Sequence, residues 1–177
     1  ELIFGLLAIE ANSAFEQPDS VEMTKEQMVD KLLRNFYIAG GGFGLYDNTT
    51  ISVDMTAMAL QALAKHQDRQ DVKSAIDTSL TRLSQMQGID GSYGNAESTA
   101  QVVLALCELG IDPHTDERFN GNGVSPVDAL LQYARDDGSF SHTLGGDANG
   151  MSTEQALYTL AGVQRFYEKQ NSLYEYE

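Results

Sequence analysis

The sequence predicts an all-α protein assembled from repeats, and three observations predict it. One phrase, a Gly-rich turn with one aromatic, then a cap, then a nearly uncharged helix, is fullest at residues 90–106 (DGSYGNAESTAQVVLAL) and occurs twice more. Its aromatics Phe43, Tyr93 and Phe140 lie 50 and 47 residues apart, and its helix-start threonines Thr56, Thr99 and Thr153 lie 43 and 54 apart. Periods of this length, each holding two helical segments, indicate stacked helical hairpins whose neighbours bury one another. The third observation is a division by charge: some segments have one wet face, while others are neutral on every side and must form an inner layer.

Taken in order, residues 2–11 are apolar all round except at Glu10 and form the first inner helix. Residues 12–19 turn, and Pro18 closes off any helix. Over 24–37, Met28, Val29, Leu32, Leu33 and Phe36 recur at helical spacing opposite Lys25, Glu26, Asp30, Lys31 and Arg34, which defines an outer helix. Thr24 and Gln27 have the spacing of a capping box, and Gly40, Gly41 and Gly42 end the helix. An inner helix follows at about 54–65 and an outer one at 70–87, with Val72, Ala75, Ile76, Leu80 and Leu83 facing in. The next inner helix spans about 96–109, with Asn95 as its cap. Ser125, Pro126 and Asp128 then place a cap, a first-turn proline and an acid at a helix start, giving an outer helix over 126–136. The last inner helix runs over about 152–166, with Ser152 and Gln155 spaced as a capping box.

Length and composition bound the function. At 177 residues the chain has the size of one domain, expected over 1–177 with a single core, and 42% apolar residues place it among globular proteins. No apolar run approaches the ~20 residues of a membrane-spanning helix. A formal charge of −15 leaves no basic stripe for phosphates, which excludes nucleic acid and anionic lipid as partners. Clustered carboxylates would instead favour cationic ligands. Cys107, alone within VLALCEL, reads as a small buried hydrophobe and gives no disulfide framework. The opening ELIFGLLAIEAN has the character of a buried helix interior and lacks the basic flank of a signal peptide, so the sequence is expected to be a piece of a longer protein.

QGIDGSYG (87–94), YARDDGSFSH (133–142) and GGGFG (40–44) resemble the glutamine-and-aromatic turn motif of the prenyltransferase and squalene-cyclase repeats. DMTAMALQAL, ESTAQVVLAL and MSTEQALYTL resemble the inner helices that follow it. The resemblance covers nearly the whole chain. It implies a partial α/α toroid, in which concentric rings of helices surround a cavity and ligands bind at the ends of the inner helices. It is closest to repeat domains of secreted or surface proteins of Gram-positive bacteria, and extends to cobalamin carriers of the intrinsic factor and transcobalamin type. Four inner and three outer helices are fewer than a closed toroid of that superfamily uses. The arc is therefore expected to be open, and its apolar ends to be covered by self-association or by further repeats.

Departures from the catalytic members of the superfamily shape the functional reading. Prenyltransferase subunits hold zinc with Asp, Cys and His, whereas Cys107 lies mid-helix with Ala105 two residues before it, and His66, His114 and His142 follow a helix end or sit in linkers. Triterpene cyclases use a DxDD-type acid cluster; the close acid pairs here, Asp136 with Asp137 and Asp116 with Glu117, fall at an outer-helix end and in a loop. No catalytic or metal residues are assigned. The expectation is a non-catalytic ligand- or protein-binding or adhesion module, extracellular or at the cell surface, with a small molecule or a surface protein as partner. The alternatives are a carrier of a cobalamin-like ligand, and a terpenoid cyclase or prenyltransferase with catalytic groups outside this piece.

The candidate site is the rim of the inner helices. Asp54, Glu97 and Glu154 are the acids near three inner-helix starts, where a carboxylate also meets the helix dipole, worth about 0.3–1 kcal/mol. With Thr56, Gln101, Gln155 and Tyr158 they would converge on one cavity mouth. From turn aromatic to threonine takes 13 residues in the first and third repeats and 6 in the second. The two longer loops carry Tyr46 and Asp47, and His142, Asp147 and Asn149, as contact groups. Oxygens of Asp47, Asp54 and the DANG run at 147–150 could hold calcium, although neither site matches a full loop signature and turn chemistry accounts for them too.

Overall fold

Among the described residues, four α-helices stand in a row and three back them. In the row, α1 (Leu2–Glu10), α3 (Val53–Leu63), α5 (Ala96–Glu108) and α7 (Gly150–Tyr167) each pack against the next; α2 (Lys25–Phe36), α4 (Gln70–Met86) and α6 (Pro126–Leu131) pack on α1, α3 and α5 respectively. The computed structural model describes residues 1–18 and 20–175. Asp19, at the end of the predicted turn, lies outside the described residues, as do Tyr176 and Glu177. The described residues are all-helical apart from turns and isolated bridges. Among them, no helix is long and apolar enough to cross a membrane.

Charge sorts the layers as the sequence predicts. On α4, Val72, Ala75, Ile76, Leu80 and Leu83 are buried along one face while Asp71, Lys73, Asp77 and Arg82 stay exposed. On α5 no such division exists: apart from Glu97, every residue from Ala96 to Leu106 is buried, because α3, α6 and α7 cover three of its sides. Each fully buried leucine there contributes about 1.5–3 kcal/mol of transfer free energy.

The repeated phrase is one joint built three times. Each begins with a turn in which the N–H groups of Ile38, Gly88 and Arg135 donate to the carbonyls of Gly42, Ser92 and Ser139 at 2.8–2.9 Å. The turn glycines Gly41, Gly91 and Gly138 have φ of 100°, 80° and 84°, which L side chains rarely adopt. Two residues on, the N–H groups of Phe43, Tyr93 and Phe140 donate to Thr56, Thr99 and Thr153 Oγ1 at 2.8, 3.0 and 2.9 Å. Each hydroxyl in turn donates to the carbonyl four residues back, at 2.6–2.7 Å. Ser52, Asn95 and Asn149 cap the three helices, a role worth ~1 kcal/mol each. A Cβ on Gly41 would sit 2.5 Å from the Thr78 carbonyl of α4, and one on Gly91 2.7 Å from that of Val124, just before α6. Glycine thus lets each of these turns press against the next backing helix.

The Thr24–Gln27 and Ser125–Asp128 capping boxes form, with Pro126 in the first turn. Three expectations are corrected. The outer helix predicted to reach 136 ends at Leu131, because the Tyr133 carbonyl accepts from Ser141 N and Ala134 pairs with Phe140 in the joint. The last inner helix starts at Gly150 under the Asn149 cap; the Ser152–Gln155 box does not form, since Ser152 N is the donor that Asn149 holds. Only Ile3 and Leu6 of α1 are buried and Phe4 is 59% exposed, because α1 stands at the edge of the row.

Candidate functional site

One stripe recurs on successive inner helices. On α3 it is Asp54, Met58 and Gln61; on α5, Glu97 and Gln101; on α7, Met151, Glu154, Gln155 and Tyr158; on α1, Phe4 and Leu7. Spacings of three, four and seven residues keep each set on one face of its helix. The faces line a half-open cavity of about 510 Å³, completed by Leu173 and Tyr174. Phe4, Leu7, Met58, Met151 and Leu173 supply apolar surface between its amide, phenol and carboxylate groups. No Lys or Arg is among the described residues lining it.

A chain of side-chain hydrogen bonds crosses the row. Tyr174 Oη donates to Gln61 Oε1 at 2.7 Å, and Gln61 Nε2 donates to Gln101 Oε1 at 2.9 Å and to the Gln101 carbonyl at 3.0 Å. Gln101 Nε2 donates to Gln155 Oε1 at 3.1 Å and to Tyr158 Oη. Gln61 and Gln101 are 3% and 6% exposed, so these bonds replace the water their amides give up. Burial pushes the Tyr158 phenol up from its ordinary range, and the Glu154 charge adds to the push. The phenol therefore keeps its proton and can act as a donor. On α3, Asp54 Oδ1 is buried with no hydrogen-bond partner among the described residues.

Glu97 is held from two sides. Ser152 Oγ donates to its Oε1 at 2.6 Å and His142 Nδ1 lies 2.8 Å from its Oε2. Burial opposes the charge, but the Ser152, backbone and His142 hydrogen bonds outweigh it and hold the carboxyl below its usual range. The same loop also donates structure to α5, since the His142 carbonyl accepts from Ala96 N at 3.1 Å.

Of the residues singled out from sequence, Asp54, Glu97, Gln101, Glu154, Gln155 and Tyr158 share the cavity wall, and His142 joins them through Glu97. The others are placed elsewhere. Thr56 is fully buried in its joint, its hydroxyl spent on Phe43 N and the Ser52 carbonyl. Asn149 is a helix cap, and Asp147 is on the exposed side of its loop. Asp47 accepts from Thr49 N and Oγ1 at 2.8 and 2.6 Å, a local turn. Tyr46, 88% exposed, edges a different hollow of about 910 Å³ between α1, α2 and the first loop. That hollow is larger, but of the chosen residues it takes in Tyr46 alone, while the smaller cavity gathers the interlinked polar groups. Among the described residues, no three of His, Cys, Asp and Glu are grouped closely enough to hold a metal ion. Cys107 lies beside Val103 and Val163, and burial, helped by the Glu108 and Asp112 charges, pushes its thiol up to about 12.

Reasoning from sequence missed Phe4, Leu7, Met58, Gln61, Met151, Leu173 and Tyr174. Met58 and Gln61 were reachable, lying four and seven residues after Asp54 on a helix already assigned to the inner layer. Together these features define a helical repeat array whose row of helices lines a half-open cavity of mixed apolar and polar surface. Neither comparison with protein-family models nor comparison with curated proteins finds a match.

Proposed function

We propose that the row and its backing helices are an arc of an α/α toroid, and that the chain is a non-catalytic binding module of an extracellular bacterial protein. It takes a small amphipathic molecule into the inner cavity. The observation that carries this reading is the polarity inside the cavity. Gln101, Gln155 and Tyr158 are hydrogen-bonded together on its wall, and the Tyr158 phenol there retains its proton. The ligand's apolar body would lie against Phe4, Leu7 and Met58, and its polar group would meet Gln155 and Tyr158. A volume of about 510 Å³ is within the size class of small-molecule sites.

The test is fluorescence titration with N-phenyl-1-naphthylamine, a neutral probe that brightens in apolar surroundings. Saturable binding is expected, weakened about tenfold by Met58→Asp, since a carboxylate would then replace apolar surface in the cavity. Binding that is absent, or unchanged in a folded Met58→Asp protein, contradicts the reading.

A further inference from the structure

The inner cavity has a neighbour. A second hollow of about 210 Å³ lies toward the C-terminal ends of α1, α3 and α5, reaching Glu10, Lys65 and Glu108. The two hollows have Leu7, Gln61 and Tyr174 in common, so these three side chains form the partition between them. Leu7 and Gln61 are fixed to helices. Tyr174 is not: it belongs to the stretch 171–175, which folds back from α7 without helical backbone bonding.

That stretch is tied to several inner helices. Arg165 Nε donates to the Asn171 carbonyl at 2.9 Å, Ser172 Oγ donates to Glu108, Tyr174 Oη donates to Gln61, and Lys65 Nζ lies 3.6 Å from Glu175 Oε1. The ties place the Tyr174 ring across the passage between the inner helices, at the depth of Gln61. Above it the passage opens toward the first turns of α3, α5 and α7; below it the hollow ends at the C-terminal ends of α1, α3 and α5.

We propose that Tyr174 is the specificity-determining residue of the cavity: its ring is the floor, and it sets the longest apolar tail a ligand can insert. This rests on the reading of the inner cavity as the ligand site. A tail running parallel to α1 and α3 meets Phe4, Leu7 and Met58, then the ring. Replacing the ring with a small side chain joins the two hollows and lengthens the slot.

The experiment is displacement of N-phenyl-1-naphthylamine from the whole chain by straight-chain primary alcohols of increasing length. Affinity in the unaltered protein is expected to rise by roughly fourfold per methylene, the worth of one buried CH₂, and then to stop rising at a fixed length. Tyr174→Ala moves that limit to longer alcohols, whereas Tyr174→Phe, which keeps the ring and removes only the bond to Gln61, leaves it in place. Tyr174→Leu gives a smaller extension and keeps the test decisive if circular dichroism shows Tyr174→Ala unfolded. An unchanged limit in folded Tyr174→Ala and Tyr174→Leu proteins that still bind the probe overturns the assignment and leaves the cavity reading standing. Failure of the probe to bind any of these proteins overturns both.

Discussion

The loops after Phe43 and Phe140 have equal length and close with the same bond, Ser52 N to the Phe43 carbonyl at 3.0 Å and Asn149 N to the Phe140 carbonyl at 2.9 Å. Their next residues differ. Gly44 follows Phe43, and a Cβ there would lie 1.9 Å from the Asp47 carbonyl, so the first loop curls tightly onto itself. Its residues 45–50 are exposed, and the Asp47 side chain bonds within the loop. Ser141 follows Phe140, and the side chain that glycine lacks is buried, with Oγ donating to the Tyr133 carbonyl at 3.3 Å. The third loop, although exposed over 142–145 and 147–148, is bonded to α5 through the His142 carbonyl and ring. A single position, small enough to curl in one copy and not in the other, decides whether a loop stands away from the row or becomes part of the cavity rim.

That difference can be broken at several points. The largest effect is expected from Gly44→Ala. Its Cβ meets backbone rather than a yielding side chain, so the first loop must open at about 2–3 kcal/mol, read as a lowered midpoint of urea unfolding. Next comes Thr56→Val, which keeps the shape of the joint but leaves the buried Phe43 N–H without an acceptor, at about 1–3 kcal/mol by the same measurement. Glu97→Ala removes the anchor of the third loop and should cost about 1–2 kcal/mol. Hydrogen exchange is expected to quicken over 142–148 and to stay unchanged over 45–51. The converse change, Asp47→Ala, frees only its own loop and leaves the urea midpoint unchanged.

Acid should separate the loops as well. The Glu97 carboxyl is held below its ordinary 4.5, so the folded state favours its charged form. Its stabilisation is complete above about pH 4.5 and is lost as pH falls through the folded-state value. The Asp47 carboxyl is lowered too, chiefly by the Thr49 hydroxyl, but it is wholly exposed and bonded only within its loop. Acid titration of stability should therefore flatten below pH 4.5 in Glu97→Gln and keep the unaltered profile in Asp47→Asn.

Much of this architecture was legible in the residues. The turn glycines, aromatics and threonines could be aligned because each does the same job in every copy, and charge alone separated backing helices from the row. The rim acids and the Gln101, Gln155 and Tyr158 group followed from the same alignment. Other features were not legible. Equal length suggested equal roles for the two long loops, and the steric meaning of Gly44 depends on where the Asp47 carbonyl lies. Ser152 resembled a cap because Gln155 stood three residues on, yet Asn149, three residues earlier, supplied the better-placed acceptor. Leu173 and Tyr174 belong to no repeat, and no local pattern announces that a chain will fold back across helices more than a hundred residues away in sequence, as the Tyr174–Gln61 bond does.

The central claim, that the cavity between α1, α3, α5 and α7 is where a ligand sits, can be tested with a thiol. Met58→Cys places a sulfur on the cavity wall, while the native Cys107 stays silent because burial keeps its thiol protonated. The rate of Met58→Cys modification by 5,5′-dithiobis(2-nitrobenzoate) should fall at least about tenfold when N-phenyl-1-naphthylamine is bound, following the probe's own saturation curve. An equal rate with and without saturating probe would contradict the account.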